Sequence, residues 1–262
     1  MRSLSSTDHS PLARYSVWCL LILFGHMFLN HLDITVHDLM KGIGPGLFVF
    51  FRAVTEVGDS KWTLVPTGVL GLVLLMAGRY LISGQRLAAM TNWLAAALFF
   101  IFTSVAFSGI TANIIKAIVG RGRPKLFDQS GFIGFDPFTL NANFHSFPSG
   151  HSNTAIALAL GLSLMIPRWR ARLFMAAGVV CFSRLAVNAH FVTDVIGGAA
   201  LAVPTTLWVR QRFAAMGLVF IKNGRGEYCV RWPGRLIPVA ARRRLRRTSS
   251  IGSVGSHKVG SA

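Results

Sequence analysis

Three short polar motifs interrupt an otherwise apolar chain. The first is Lys116, six residues, then Arg123-Pro124. The second is Pro148-Ser149-Gly150-His151, and the third is Ser183-Arg184, five residues, His190, three residues, Asp194. Side chains of these types suit phosphoryl transfer, in which negative charge spreads over the equatorial oxygens of the moving group. Lys116, Arg123 and Arg184 can hold those oxygens, arginine as a planar fork of donors and lysine as a point charge. Ser149 adds a hydroxyl. Gly150 adds a backbone N–H at the expected start of a helix, where the dipole favours an anion.

A nucleophile and a proton donor complete such a site. His190 and Asp194 are four apart, which on a helix brings their side chains to one face. A carboxylate on one ring nitrogen fixes the tautomer and frees the other nitrogen for attack. His190 is therefore the candidate nucleophile, forming a phosphohistidine, and Asp194 its orienter. His151 remains to protonate the leaving alkoxide and then to activate water. Each residue alone has an ordinary structural reading. Arg184 could pair with Asp194, and Lys116 could snorkel to an interface. His9, His26, His31, His37, His145 and His257 lack comparable surroundings and are read as structural or incidental.

Jointly, the motifs resemble, position for position, the signature of the type 2 phosphatidic acid phosphatase superfamily, which the vanadium haloperoxidases share. The resemblance covers residues 116–194. It implies the roles just given for Lys116, Arg123, Ser149, Gly150, His151, Arg184, His190 and Asp194. It also implies that no metal or other cofactor is needed, because the cations neutralise the phosphate. Bacterial relatives of this look act on phosphatidic acid, phosphatidylglycerophosphate, undecaprenyl pyrophosphate or lipid A. Arg123-Pro124-Lys125-Leu126-Phe127-Asp128 with Ser146-Phe147-Pro148 resembles bacterial lipid phosphatases, including members like lipid A 1-phosphatase.

The elements that position the motifs must lie in a membrane. The chain has 262 residues, 52% hydrophobic and 14% charged, whereas soluble domains carry about 25% charged residues. Stretches free of Lys, Arg, Asp and Glu cover 15–32, 62–78, 87–115, 152–167, 173–183 (continuing past Arg184 to 189) and 195–209. A spanning helix needs about 20 apolar residues, so the later stretches reach full length only if motif residues form their outer ends. The expected fold is an all-α, polytopic membrane bundle of about six transmembrane helices, with the site at the extracytoplasmic surface.

The net charge of +18 invites a nucleic-acid reading, but the basic residues cluster in particular loops and in the tail, so no nucleic-acid partner is expected. With a cytoplasmic N-terminus, most Lys and Arg fall on the cytoplasmic side, including the twelve from Arg210 onward. The short loops alone give the same answer. In that arrangement all three motifs reach the outer face, and seven of the nine acids accompany them. The expected location is a bacterial inner membrane, with the site facing the periplasm and both termini cytoplasmic. Residues 15–32 read as a retained first span, without a cleavage site. Cys19, Cys181 and Cys229 form neither a disulfide framework nor a metal-ligand spacing.

The chain divides into a membrane phosphatase domain, 1–212, and a basic, partly disordered cytoplasmic tail, 213–262. Residues 33–61 are either a re-entrant or interfacial segment or an ordinary external loop. Residues 120–147 form a long external loop rich in phenylalanine, which either lines a lipid-accepting groove or packs the loop onto the bundle. In the tail, 218–222 and 227–232 flank Asn223-Gly224-Arg225-Gly226, a hairpin signal. The polybasic run 242–247 serves anionic headgroups of the inner leaflet or simply anchors topology. The functional expectation is a membrane lipid phosphatase cleaving a lipid phosphate monoester or pyrophosphate. A lipid phosphotransferase with the same phosphoenzyme, or a non-enzymatic lipid-phosphate binding or transport protein, stays open beside it.

Overall fold

The computed structural model describes residues 11–131 and 133–233. Their backbone forms eight α-helices and one small hairpin, in the order α1 (Pro11–Lys41), α2 (Pro45–Val57), α3 (Lys61–Met76), α4 (Gln85–Val119), α5 (Pro124–Ser130), α6 (Gly150–Met165), α7 (Arg170–Ala186), α8 (Val192–Ala215), β1 (Phe220–Lys222) and β2 (Tyr228–Val230). The all-helical expectation holds. Phe132, the polybasic run 242–247 and the rest of 234–262 lie outside the described residues, as does His9.

The first helix corrects one expectation. It does not stop where the apolar stretch stops, at residue 32, but continues to Lys41. Asp33, His37 and Asp38 interrupt the hydrophobicity without breaking a helix; the breakers come later, at Gly42 and Gly44-Pro45. Asp33 is thus a helical residue and is 1% exposed, not part of a loop. The remainder of 33–61 holds α2, which turns Thr55 inward and leaves Leu47, Val49, Phe50 and Val57 exposed.

Among the described residues, three helical runs are long and apolar enough to cross a bilayer, by length and composition: Pro45–Leu81, Gln85–Val119 and Val192–Ala215. The first joins α2 and α3, which is extended by a π-helical turn. The helices α6 and α7, of 16 and 17 residues, are shorter than an ordinary span. Outward apolar side chains such as Val65, Val69, Leu72 and Ile110 fit a lipid-facing surface. Inside, small residues let the helices approach closely, with Ala155, Ala157 and Ala159 buried on α6 and Ala202 on α8.

The largest apolar core sits at one end of the bundle. Phe100 and Ile101 of α4, Met165 of α6, Val209 and Phe213 of α8, and Val219 and Phe220 pack together there. The helix α8 runs through 212 to Ala215, and the hairpin that follows contributes to this core. Phe220 pairs with Val230 across the two strands. Their turn falls on Asn223-Gly224-Arg225-Gly226, with Gly226 at φ 78, where the sequence signals a hairpin. Cys181 and Cys229 are free thiols.

Candidate active site

The motifs meet at the other end of the bundle, where α4 and α7 finish and α6 and α8 begin. Gly120 ends α4 with φ +57, and a Cβ there would lie 1.7 Å from the carbonyl oxygen of Asp136. Only glycine permits both the left-handed turn and that approach. The loop then folds back, with Asp136 N–H donating to the Gly120 carbonyl at 2.7 Å and Arg123 N–H to that of Asn143 at 2.9 Å. Lys116 is thereby kept on the last turn of α4 and Arg123 at the N-cap of α5, within reach of each other's charge.

Ser149 caps α6 and accepts from the Ser152 hydroxyl at 3.0 Å. Its own N–H donates to the Asp194 carbonyl at 2.9 Å, which ties the start of α6 to the start of α8. Gly198 makes that junction possible, since a Cβ there would fall 2.4 Å from the Ser149 carbonyl oxygen. Gly150 opens α6, and Lys116 Nζ lies 3.7 Å from where its Cβ would be. The lysine therefore reaches the N-terminal end of the helix that the second motif begins.

His190 is not on the same helix face as Asp194, which corrects the helical rationale. It sits in the turn between α7 and α8, while Asp194 is the third residue of α8. The two are brought together by capping. Asp194 Oδ2 accepts from the Phe191 N–H at 2.9 Å, and this return of the side chain toward the N-cap sets it beside residue 190. Asn188, at φ 50, supplies the left-handed residue that reverses the chain there. His190 Nδ1 is 3.6 Å from Asp194 Oδ2, longer than a hydrogen bond.

Asp194 is fully buried and heavily engaged. Besides Phe191, it accepts from the Ser146 hydroxyl at 2.6 Å and from Arg121 Nη1 at 2.7 Å. Neither Ser146 nor Arg121 is given a role in the site by the three motifs. Nor is Thr55, whose hydroxyl accepts from Arg184 Nη1 and so fastens the third motif to α2.

The cations converge. Lys116 is within electrostatic reach of Arg123 and Arg184, and His151 of Arg184, His190 and Lys116. Lys116 and Arg184 are 8% and 7% exposed. The Nε atoms of Arg123 and Arg184 and Nδ1 of His190 are buried without a hydrogen-bond partner among the described residues. Burial pushes the His190 imidazole down to about 4, against the opposing pull of Asp194. Burial likewise draws the Arg123 guanidinium below its ordinary value. A site so arranged, with converging desolvated donors beside a neutral imidazole, can hold a compact polyanion and attack it.

The sequence pattern of the PAP2 superfamily matches residues 97–216, which contain all three motifs. A lipid A 1-phosphatase of Rhizobium johnstonii is 38% identical over 170 residues, 64% of this chain and 68% of the relative. The chain belongs to the PAP2 superfamily. A second lipid A 1-phosphatase, from Rhizobium etli, is 36% identical over 170 residues, covering 64% of this chain and 72% of that one. Among solved structures, a transmembrane PAP2-type phosphatidylglycerolphosphate phosphatase from Bacillus subtilis superposes with a TM-score of 0.50 at 22% identity. That likeness covers 76% of this chain and 94% of the other, and speaks to the fold. The expected resemblance to type 2 phosphatidic acid phosphatases is thus borne out. This PAP2 member is an integral membrane lipid phosphatase.

The loop aromatics divide. Phe127 packs edge-on against His37 and Phe191, and the Phe147 ring fills the space beside Gly197. Phe135 and Phe138 remain exposed. Among the histidines set aside, His37 Nε2 lies 2.9 Å from Asp128 Oδ1, and the His145 carbonyl lies 3.4 Å from Lys116 Nζ.

Proposed function

We propose that this PAP2 phosphatase removes the 1-phosphate of lipid A through a phosphohistidine on His190, without a metal. The observation that carries the mechanism is the convergence of the buried Lys116 and Arg184 on His151 and His190, with Arg123 beside the two cations and Asp194 behind His190. The lipid A assignment rests on the two Rhizobium relatives.

With Nδ1 turned to Asp194, Nε2 of His190 is the attacking atom. It bonds to phosphorus as the phosphorus–oxygen bond to the lipid breaks, and His151 gives its proton to the departing oxygen. Neutral His151 then takes a proton from water, and the hydroxide formed attacks phosphorus. Inorganic phosphate leaves and both imidazoles are restored. The three cations, the Ser149 hydroxyl and the Gly150 N–H hold the equatorial oxygens in both steps. Six helices cross a bacterial inner membrane in this reading, with α6 and α7 completed by their motif ends. The site faces the periplasm.

The test is phosphate release by detergent-purified protein, with EDTA present, from lipid A, phosphatidylglycerophosphate, phosphatidic acid and undecaprenyl pyrophosphate. Expected is preferential release from lipid A that His190→Ala abolishes while substrate binding persists. Activity retained in His190→Ala would remove the nucleophile assignment. Label passing to a lipid acceptor instead of water would turn the reading to the phosphotransferase.

A further inference from the structure

Arg121 and Asp33 form a buried ionic bracket behind the catalytic end of the bundle. Arg121 Nη1 donates to Asp194 Oδ1 at 2.7 Å and to the Thr193 hydroxyl at 2.6 Å. Its Nη2 donates to Asp33 Oδ2 at 2.7 Å. Asp33 also accepts from the Thr193 N–H at 2.9 Å and from the Thr193 hydroxyl at 2.5 Å. The guanidinium stacks over the Phe191 ring at 4.8 Å, and the Arg121 carbonyl accepts from the Ser146 N–H at 3.0 Å. Arg121 is 6% exposed and Asp33 1%.

We infer that Arg121 and Asp33 are positioning residues, which hold Asp194 and the first turn of α8 so that His190 is aimed at the phosphorus. This rests on the phosphohistidine reading above and extends it to a part of the chain outside the family match, since Asp33 lies on α1. The side-chain hydrogen bonds of the bracket end on Thr193 and Asp194 and its ring contact on Phe191, while the Arg121 backbone holds Ser146, which itself donates to Asp194. Both Nη groups of Arg121 are committed to carboxylates, and only its Nε is left without a partner among the described residues. Its charge therefore serves aim rather than substrate binding. With Oδ1 held by Arg121, Asp194 keeps its Oδ2 turned to the imidazole, whereas a carboxylate held only by the cap and Ser146 is freer to rotate.

Two carboxylates share one guanidinium, so Arg121→Gln leaves two buried negative charges facing each other and risks misfolding. The double variant Asp33→Asn/Arg121→Gln removes one charge of each sign and keeps the network's net charge. The experiment compares the full chain, Asp33→Asn, Arg121→Lys and the double variant in detergent. It measures kcat for lipid A hydrolysis, the inhibition constant of inorganic phosphate and the thermal unfolding midpoint.

Expected for the folded double variant is a fall in kcat of about 10–100-fold, the usual cost of losing a group that orients a functional residue. The phosphate inhibition constant should stay within about threefold, because Lys116, Arg123 and Arg184 are untouched. Arg121→Lys should recover part of kcat. An unchanged kcat in the double variant overturns the inference. So does a fall in kcat matched by equally weakened phosphate inhibition. If the double variant does not fold, Asp33→Asn decides, with about a fivefold loss of kcat expected and no loss refuting. Failure of the parent reading is separate, because it would show in the unmutated protein as an absence of acid-labile phosphoenzyme.

Discussion

At one end of the bundle, α4, α6 and α8 close around Phe100, Met165, Phe213 and the hairpin's Phe220. At the other end the same three helices close around Lys116, Ser149 and Asp194. Phe100 and Lys116 are about 24 Å apart along α4, at ~1.5 Å per residue. The first end is held by dispersion among fitted apolar groups, including edge-on contacts of Phe100 with Phe213 and Phe220. The second gathers desolvated charge, which costs stability unless each group is paired. There, Asp194 and Arg121 form a buried ion pair, while Arg121, Arg123 and Arg184 each keep a buried Nε without a hydrogen-bond partner among the described residues. Stability and chemistry are therefore written into opposite ends of shared helices, and substitutions should separate them.

The largest effect expected is at the apolar end. Phe100→Ala should cost about 3 kcal/mol, the low end for such truncations, because lipid or detergent removes much of the water-transfer contribution. Turnover of the folded fraction should stay within about twofold. Thermal unfolding and phosphate release on the same samples check this, and an equal loss of turnover would show the two ends to be coupled. At the charged end, Arg184→Ala should lower kcat/KM by about 100-fold without lowering the unfolding midpoint. A clearly lower midpoint would make Arg184 a structural residue instead.

The pH profile sharpens the comparison further. Burial holds His190 neutral down to about 4. After allowance for the substrate's own titration, kcat/KM should show an acid limb near that value, where His190 gains a proton, and a separate decline with rising pH as His151 loses the proton it must donate. The unfolded chain binds the same proton near the ordinary value of 6.5. The associated loss of stability should thus be absent above 6.5, grow as pH drops from 6.5 toward 4, and level off below. An acid limb at the ordinary imidazole value would mean that His190 is well hydrated. The smallest effect expected is for Thr55→Val, which takes the hydroxyl from Arg184. It should raise KM by about threefold and leave the fold intact.

The sequence was most legible where rare polar residues stood against an apolar background. Lys116, Ser149, Arg184 and Asp194 are conspicuous for that reason, and the structure gathers them at four helix ends. The pairing of His190 with Asp194 was legible from spacing, although through a helix face that does not exist there. A carboxylate at the third helical position reaches back to the N-cap, which puts the preceding turn in its reach just as a shared face would. Arg121 was not legible, because it is one basic residue of several in a loop, and its partner Asp33 is 88 positions away in sequence. Asp33 was itself hidden by a boundary drawn on hydrophobicity, whereas helices end at breakers. Gly42 and Gly44-Pro45 were the available signal. The aromatic loop was ambiguous for a related reason, since Phe127 and Phe138 look alike in sequence and only packing distinguishes them.

The tie between Asp33 and Thr193 joins residues 160 positions apart. A chain made and inserted from its N-terminus presents Asp33 early, on a helix that must wait for its counter-charges. Arg121 arrives with the end of α4, and Thr193 and Asp194 only with α8, after the other helices of the described residues have been made. On the proposed mechanism, activity therefore waits for α8. On that mechanism a nascent form still lacking α8 should not attack the lipids around it, so arrival of Asp194 doubles as a report that the site is complete.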